Sequence, residues 1–263
     1  MLLRTFGGHR ASSGQFPWIV SILLAPVTQD GDILRDAAIC TGAMLSDRHV
    51  LTAAHCFAYL NKKIDWTDKT TRLSDFEFRI SPKLSGLGAP HRARWVKLHP
   101  HYSEATFIND IAIVELKVHC YKGSPLCLCN EASQIGNNLI LAGWNYQQLQ
   151  RNKSSAEVNW VNQHLSPKEK CSVRNPHTVC TEYEKGTICQ GDSGSSLLQR
   201  RSDGKMEAVG VTSMAKESYC EGEPTKKTQR KNSSTFTDLR YFLKWICDLI
   251  GLGCSDDTYD ECE

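Results

Sequence analysis

The stretch that decides the fold lies in the last third of the chain and reads Cys189-Gln190-Gly191-Asp192-Ser193-Gly194-Ser195-Ser196. Serine between glycines is a turn signal in many unrelated proteins, so this stretch taken alone is a weak indication of chemistry. A serine hydroxyl becomes a useful nucleophile only beside a base that removes its proton. We therefore searched the rest of the sequence for that base and for the group that would orient it.

Two upstream stretches supply these groups, and they read Leu51-Thr52-Ala53-Ala54-His55-Cys56 and Asn109-Asp110-Ile111-Ala112-Ile113-Val114-Glu115-Leu116. The His55 imidazole can take the Ser193 proton and return it to a leaving amine. Asp110 would fix the imidazole tautomer and stabilise the imidazolium. The backbone N–H groups of Gly191 and Ser193 would bind a developing oxyanion. The chain order His, Asp, Ser is one known order of the catalytic triad, so these residues are the candidate catalytic set.

Short apolar runs, most of them bounded by Gly, Pro, Ser, Asn or Asp, fill the rest of the chain and predict an all-β protein. The runs cover residues 16–24, 38–45, 50–53, 76–80, 93–97, 111–116, 139–144, 158–163, 195–198 and 209–213. One segment, 239–250, has the apolar spacing of a helix, with Thr237 or Asp238 as its cap and Gly251 as its stop. The polar segment 225–234 reads as an exposed loop.

Composition narrows the class of protein. The 263 residues fit one all-β unit, which often reaches about 200–250 residues. The net charge of +2 argues against nucleic acid as the main partner. No apolar run reaches the roughly 18 residues of a membrane-spanning helix, so we expect no membrane span.

The cysteines indicate the compartment. Twelve cysteines favour an oxidising, extracellular environment in which disulfides form. The residues before Thr5 are too few for a signal peptide of about 15–30 residues, so we expect a sequence truncated at its start. An intracellular protein with reduced cysteines is the alternative. Asn152 and Asn232 head N-x-S/T acceptors for glycosylation.

From about Arg4 to Ile250 the chain resembles the chymotrypsin-fold (trypsin-like) serine proteases. The likeness rests on the three stretches above and on Gly7-Gly8, Gly14-Gln15-Phe16-Pro17-Trp18, His99-Pro100-His101-Tyr102, Gly143-Trp144 and Trp245-Ile246. It implies two six-stranded antiparallel β-barrels with the triad in the cleft between them, and a C-terminal α-helix. The peptidase domain would cover 5–250, after a residual pro-segment at 1–4.

Within that domain the resemblance places the first barrel at about 16–120, the second at about 130–238 and the helix at about 239–250. A cysteine-containing acidic tail, 251–263, would follow. His55 and Asp110 would come from the first barrel and Ser193 from the second.

The resemblance also implies disulfides, which would join Cys40 to Cys56, Cys171 to Cys180, and Cys189 to Cys220. One further family bridge is absent, because its two positions here are Leu139 and Gln199. The pairing of the other six cysteines stays open, although we expect the tail to be bound to the loop around 120–129. These six are Cys120, Cys127, Cys129, Cys247, Cys254 and Cys262.

Family members are cut to expose a new N-terminal ammonium that pairs with the Asp before the nucleophile. The corresponding residues here are Arg4, Thr5 and Asp192, although Thr5 is smaller and more polar than the usual residue. Arg4 as a merely exposed side chain is the alternative.

The resemblance places Thr187 at the base of the substrate pocket, with Ser213, Met214 and Ala215 along its walls. Thr187 carries no charge, so a buried Lys or Arg of the substrate would lack a partner there. We therefore expect cleavage after uncharged, small-to-medium apolar residues. Glu221 or Glu223, if turned into the pocket, would restore a preference for basic residues.

The expected partners are a protein or peptide substrate, an activating protease and a protein inhibitor. We expect a secreted monomeric zymogen with no cofactor and no metal. A catalytically silent homologue that serves as a binding module remains the alternative, because the N-terminus and the substrate groove depart from the family pattern. The basic run at 226–231 reads as a solvated loop, or else as a site for acidic substrates.

Overall fold

The computed structural model describes residues 8–24, 39–58, 76–80, 90–117, 123–130, 132–144, 158–171, 175–183, 188, 191–215 and 232–251. Within these ranges the strands, in chain order, are β1 (His9–Arg10), β2 (Ile19–Leu24), β3 (Ile39–Met44), β4 (His49–Thr52), β5 (Phe76–Ile80), β6 (Pro90–His91), β7 (Ala93–Leu98), β8 (Ala112–Leu116), β9 (Cys127–Leu128), β10 (Asn138–Trp144), β11 (Val158–Ser166), β12 (Thr178–Tyr183), β13 (Ser196–Arg200), β14 (Met206–Ala215) and β15 (Asn232–Asp238). The α-helices are α1 (His55–Ala58) and α2 (Leu243–Ile250).

The first half of the chain forms an antiparallel sheet in the order β6-β5-β2-β3-β4-β8-β7. Only Arg92 separates β6 from β7. A single stretch of chain therefore pairs with β5 at one end of the sheet and with β8 at the other. The sheet returns on itself as a barrel, which agrees with the fold predicted for this half.

The second half forms a closed six-stranded barrel. Its strands follow the order β11-β10-β13-β14-β15-β12, and β12 pairs back with β11. The short β1 adds to β11, and β9 adds to β14 in parallel. The all-β fold of two barrels with a C-terminal helix is thus confirmed, while the domain boundaries drawn along the sequence stay predictions.

Strand register explains how distant residues reach one place. Strands β4 and β8 are antiparallel neighbours, and their last pair is Thr52 with Ala112. His55 follows the end of β4 and Asp110 precedes the start of β8. The register of one strand pair therefore brings these two side chains to the same end of the first barrel.

The C-terminal helix begins later than its apolar spacing predicts. Residues Leu239–Tyr241 form a 3₁₀ turn, and the α-helix proper starts at Leu243 because Phe242 has φ −119° and leaves the helical region. The Asp238 carboxylate accepts a hydrogen bond from the Arg240 N–H and caps the 3₁₀ turn. Gly251, at φ 72°, ends the helix as predicted.

The prediction of an exposed loop through 234 is wrong at its end. Residues from Asn232 onward form β15, which pairs with β12 on one side and β14 on the other. Ser233 and Ser234 are buried. Closing the barrel places this strand between two partners that satisfy its backbone, so its polar side chains do not keep it at the surface.

Two of the implied disulfides, Cys40–Cys56 and Cys171–Cys180, are present. Cys127 and Cys247 are also disulfide-bonded. The other cysteines of the predicted framework lie outside the described residues, and they are Cys120, Cys189, Cys220, Cys254 and Cys262.

Cys129, whose pairing the sequence leaves open, has a free thiol that is fully buried. The Cys129 N–H donates to the Ala208 carbonyl (3.0 Å), which holds the residue against β14. Burial raises the pKa of this thiol, and the nearby Glu207 and Asp238 carboxylates raise it further. The thiol therefore stays protonated and behaves as a core group.

A hydrogen-bond network surrounds Gln199, one of the two positions at which the resemblance implies an absent bridge. The register of β10 with β13 sets the buried Leu139 opposite Gln199. The Gln199 amide donates to the Glu207 carboxylate (2.6 Å) and to the Gln134 carbonyl (3.2 Å), and its oxygen accepts from the Gly136 N–H (3.0 Å). One polar side chain thus ties the 134–136 segment to two strands.

The α2 helix docks through aromatic contacts with the first barrel. The His99 ring lies 5.1 Å from both Phe242 and Trp245, edge to face. Burial lowers the pKa of His99, and His101 and His177 lower it further. The ring therefore packs as a neutral group. No helix among the described residues has the length and apolarity that a membrane crossing requires.

A substitution at Gly42 tests the packing of β3. An added Cβ would lie 2.6 Å from Val50 Cγ1 and 3.0 Å from the Leu51 carbonyl. We predict that Gly42→Ala lowers the free energy of unfolding by about 1–3 kcal/mol in denaturant titrations with disulfides intact. Gly136→Ala is the control, because its Cβ would approach nothing closer than 3.8 Å. Equal stability of the two variants would contradict the prediction.

Candidate active site

The centre of the candidate site is the contact between Asp110 and His55. The Asp110 carboxylate is fully buried, and its Oδ2 lies 2.7 Å from His55 Nδ1. Its Oδ1 accepts a hydrogen bond from the His55 backbone N–H at 2.8 Å. One carboxylate thus fixes both the ring and the backbone of the histidine. With Nδ1 committed as donor, Nε2 of the neutral ring is the basic nitrogen.

The second barrel contributes two further contacts to Asp110. The register of β14 with β15 shifts between Thr212 and Met214, which makes Ser213 the extra residue of a β-bulge. The Ser213 Oγ donates to Asp110 Oδ2 at 2.5 Å, and the Thr237 hydroxyl donates to the Asp110 carbonyl at 2.8 Å.

Phe107 is a site neighbour that sequence reasoning missed. Its ring meets the His55 ring edge to face, with centroids 5.8 Å apart. Its backbone has φ 55°, which is rare for a bulky residue, and Asn109 has φ 56°. The Asn109 amide anchors this segment by donating to the His101 carbonyl at 2.9 Å. No composition or periodicity signal marks such a turn.

The Tyr102 side chain lies near the same carboxylate. Burial raises the pKa of the Tyr102 hydroxyl well above its usual range, and the charge of Asp110 raises it further. The phenol therefore stays protonated and adds no second negative charge beside Asp110.

The turn that carries Ser193 is held from within the second barrel. Gly191 and Gly194 take φ values of 101° and 79°. The Asp192 carbonyl accepts from both the N–H (3.0 Å) and the hydroxyl (2.6 Å) of Ser195. The Gly194 N–H donates to the Thr212 carbonyl at 3.0 Å. These bonds fix the turn while Ser193 itself stays partly exposed.

Gly194 is required by contact between the barrels. In the structure a Cβ at Gly194 would overlap Thr52 Oγ1 and lie 2.5 Å from the Thr41 carbonyl and 2.9 Å from the Ala53 nitrogen. The turn thus packs directly against the first barrel, and only glycine leaves room for it.

Gly143 plays a similar part for Asp192. The Asp192 side chain is buried, and a Cβ at Gly143 would lie 2.5 Å from its Oδ1. This glycine therefore makes room for a buried carboxylate directly before Ser193.

His55 also adjoins the Cys40–Cys56 bridge, and ligand-type atoms of the three residues lie within 4.8 Å of one another. Both sulfurs belong to the disulfide. They are therefore not the thiolates that metal binding uses.

The remaining predicted site residues divide into two groups. Met214 and Ala215 stand at the end of β14, partly exposed, directly after Ser213. Thr187, Arg4 and Thr5 lie outside the described residues. The structure thus brings the His55 and Ser213 side chains to the Asp110 carboxylate. It holds Ser193 in a turn that packs against the first barrel.

Residues 5–246 match the family model described as Trypsin, which is nearly the whole chain. The chain belongs to the trypsin family. The resemblance stated from the sequence is thereby confirmed.

Two relatives match most of this chain. The chain is 28% identical over 239 residues to human mannan-binding lectin serine protease 1, covering 81% of this chain and 32% of the relative. It is 27% identical over 270 residues to the bovine suppressor of tumorigenicity 14 protein homolog, covering 95% of this chain and 28% of the relative. The chain therefore spans about a third or less of the relatives' length, and these likenesses support a serine protease.

The Ser213 contact can be tested through stability. We predict that Ser213→Ala lowers the free energy of unfolding by about 1–3 kcal/mol at neutral pH, because the buried Asp110 carboxylate loses a donor. Ser234→Ala is the matched control, since the Ser234 hydroxyl is buried and has no hydrogen-bond partner among the described residues. Denaturant titration of both variants measures the difference. A smaller loss for Ser213→Ala than for Ser234→Ala would contradict the prediction.

Proposed function

We propose that this chain is a serine endopeptidase that hydrolyses peptide bonds through an acyl-enzyme on Ser193. The observation that carries the proposal is the 2.7 Å contact between His55 Nδ1 and the buried Asp110 carboxylate. A carboxylate so placed holds the ring in the tautomer whose Nε2 accepts a proton. The trypsin-family match supports the same reaction.

In the proposed reaction Ser193 Oγ attacks the substrate carbonyl as His55 Nε2 takes its proton. The N–H groups of Gly191 and Ser193 donate to the oxyanion of the tetrahedral intermediate. His55 then protonates the leaving amine, and the acyl group stays on Ser193. A water molecule, deprotonated by His55, attacks the acyl-enzyme and releases the carboxylic acid product.

The proposal includes activation by cleavage after Arg4. The new Thr5 ammonium would pair with Asp192 and order the turn that carries Ser193. Its support is the burial of the Asp192 carboxylate next to the serine, because a buried carboxylate favours a positively charged partner.

The proposal extends to substrate choice and compartment. Thr187 offers no charge to a basic side chain, so the pocket would take uncharged, small-to-medium apolar residues against Ser213, Met214 and Ala215. The Cys40–Cys56 and Cys171–Cys180 bridges support an extracellular location, where disulfides persist.

Labelling with a fluorophosphonate tests the nucleophile. We predict a covalent adduct on Ser193, located by mass spectrometry, in a form that starts at Thr5 and not in the chain that starts at Met1. Ser193→Ala in the Thr5 form is the control and should give no adduct. A folded, disulfide-bonded Thr5 form without adduct would contradict the protease proposal and favour the catalytically silent homologue.

Profiling with a peptide library tests the specificity. We predict that the Thr5 form cleaves after uncharged residues, and that Thr187→Asp shifts cleavage towards Lys and Arg because the new carboxylate pairs with the substrate cation. Dominant cleavage after Lys or Arg by the unaltered chain would contradict the prediction. In that event Glu221→Gln and Glu223→Gln would identify the acidic side chain responsible.

A further inference from the structure

Thr41, in β3 of the first barrel, forms hydrogen bonds with the Ser193 turn and with the strands beside it. It is buried, and its N–H donates to the Ser193 carbonyl at 2.8 Å. Its hydroxyl donates to the Gly191 carbonyl at 2.7 Å and accepts from the backbone N–H of Trp144 at 3.1 Å. Its carbonyl accepts from the Thr52 hydroxyl at 2.9 Å.

The direction of these hydroxyl bonds is fixed by chemistry. The Trp144 N–H can only donate and the Gly191 carbonyl can only accept, so the single hydroxyl proton of Thr41 points at Gly191. The hydroxyl therefore links three elements, namely β3 of the first barrel, β10 of the second barrel and the turn before Ser193.

Gly191 needs such an outside contact. Glycine has the widest choice of backbone angles, and Gly191 takes φ 101°. The Asp192 carbonyl on the next peptide is held by Ser195. The Gly191 carbonyl is held by the Thr41 hydroxyl, which restrains the residue whose N–H would face the oxyanion.

We propose that Thr41 is a positioning residue for the oxyanion site. Its hydroxyl holds Gly191 in the orientation in which the N–H groups of Gly191 and Ser193 converge on the developing negative charge. The inference rests on the proposed function, because an oxyanion forms only if Ser193 attacks a carbonyl. Thr41 lies in the apolar run 38–45, outside the three stretches that carry the candidate catalytic residues.

A positioning role in the oxyanion site acts on the transition state more than on the bound substrate, so kcat should fall while KM changes little. We predict that Thr41→Val, which keeps the shape and removes the hydroxyl, lowers kcat about tenfold or more. Thr41→Ser keeps the hydroxyl and should stay within about threefold of the unaltered chain. Every variant starts at Thr5, and all are assayed with the same peptide substrate.

Thr181→Val controls for the loss of a buried hydroxyl elsewhere. The Thr181 hydroxyl donates to the Gln163 side chain at 2.6 Å, between strands β12 and β11 of the second barrel. This variant should lose stability as Thr41→Val does and keep its kcat. Unchanged kcat in Thr41→Val, or an equal fall in Thr41→Val and Thr41→Ser, would overturn the proposal.

An NMR measurement, which needs no catalysis, tests the contact between Thr41 and Gly191 independently of the proposed function. In protein labelled with ¹⁵N-glycine, the Gly191 amide resonance should shift and broaden in Thr41→Val and stay sharp and close to its original position in Thr41→Ser and Thr181→Val. An unaltered Gly191 resonance in Thr41→Val would overturn the positioning role. Failure of the unaltered Thr5 form to label or cleave would overturn the protease proposal and, with it, the oxyanion role of Thr41. The Gly191 resonance would still show whether the Thr41 hydroxyl holds Gly191 in place.

Discussion

The structure depends on one buried carboxylate. Asp110 has no exposed surface, and an ionised group in such a place is costly unless every oxygen finds a donor. Its donors come from both barrels, with His55 following β4 and Ser213 sitting at a bulge of β14. The hydrogen bonds that this carboxylate accepts therefore hold the two barrels together beside His55. Stability of the barrel contact and orientation of the candidate base follow from the same set of hydrogen bonds.

The serine turn meets the first barrel under a second constraint, which is steric. Gly194 has no room for a side chain against Thr41, Thr52 and Ala53, and the Ser193 carbonyl accepts from the Thr41 N–H. Without the other barrel, the Ser193 carbonyl and the Thr41 N–H would lose each other as partners, and the turn at Gly194 would be exposed. The site is consequently a property of the contact between barrels, and the short motifs of the sequence mark the places where that contact is made.

The candidate site was predictable from the sequence because few residue types can carry out the proposed chemistry. A base, an orienting carboxylate and a nucleophile in a glycine turn identified His55, Asp110 and Ser193 as the candidates. Short apolar runs bounded by turn residues predicted most of the strands. Strands β12 and β15 were not predicted, because they form through barrel closure, which pairs residues that are distant in sequence. The φ of Phe107 and the free thiol of Cys129 escaped because both depend on neighbours that are distant in sequence.

The resemblance implies a disulfide at the positions of Leu139 and Gln199, and here hydrogen bonds of Gln199 stabilise this part of the barrel. A disulfide acts largely by restricting the unfolded chain. The bonds that Gln199 makes to Glu207, Gln134 and Gly136 exist only in the folded chain and contribute there. They also satisfy a buried carboxylate at Glu207 that would otherwise be costly next to the protonated thiol of Cys129. Gln199 therefore cannot be exchanged for an apolar residue of similar size unless Glu207 changes with it, which makes these positions a coupled pair rather than two independent substitutions.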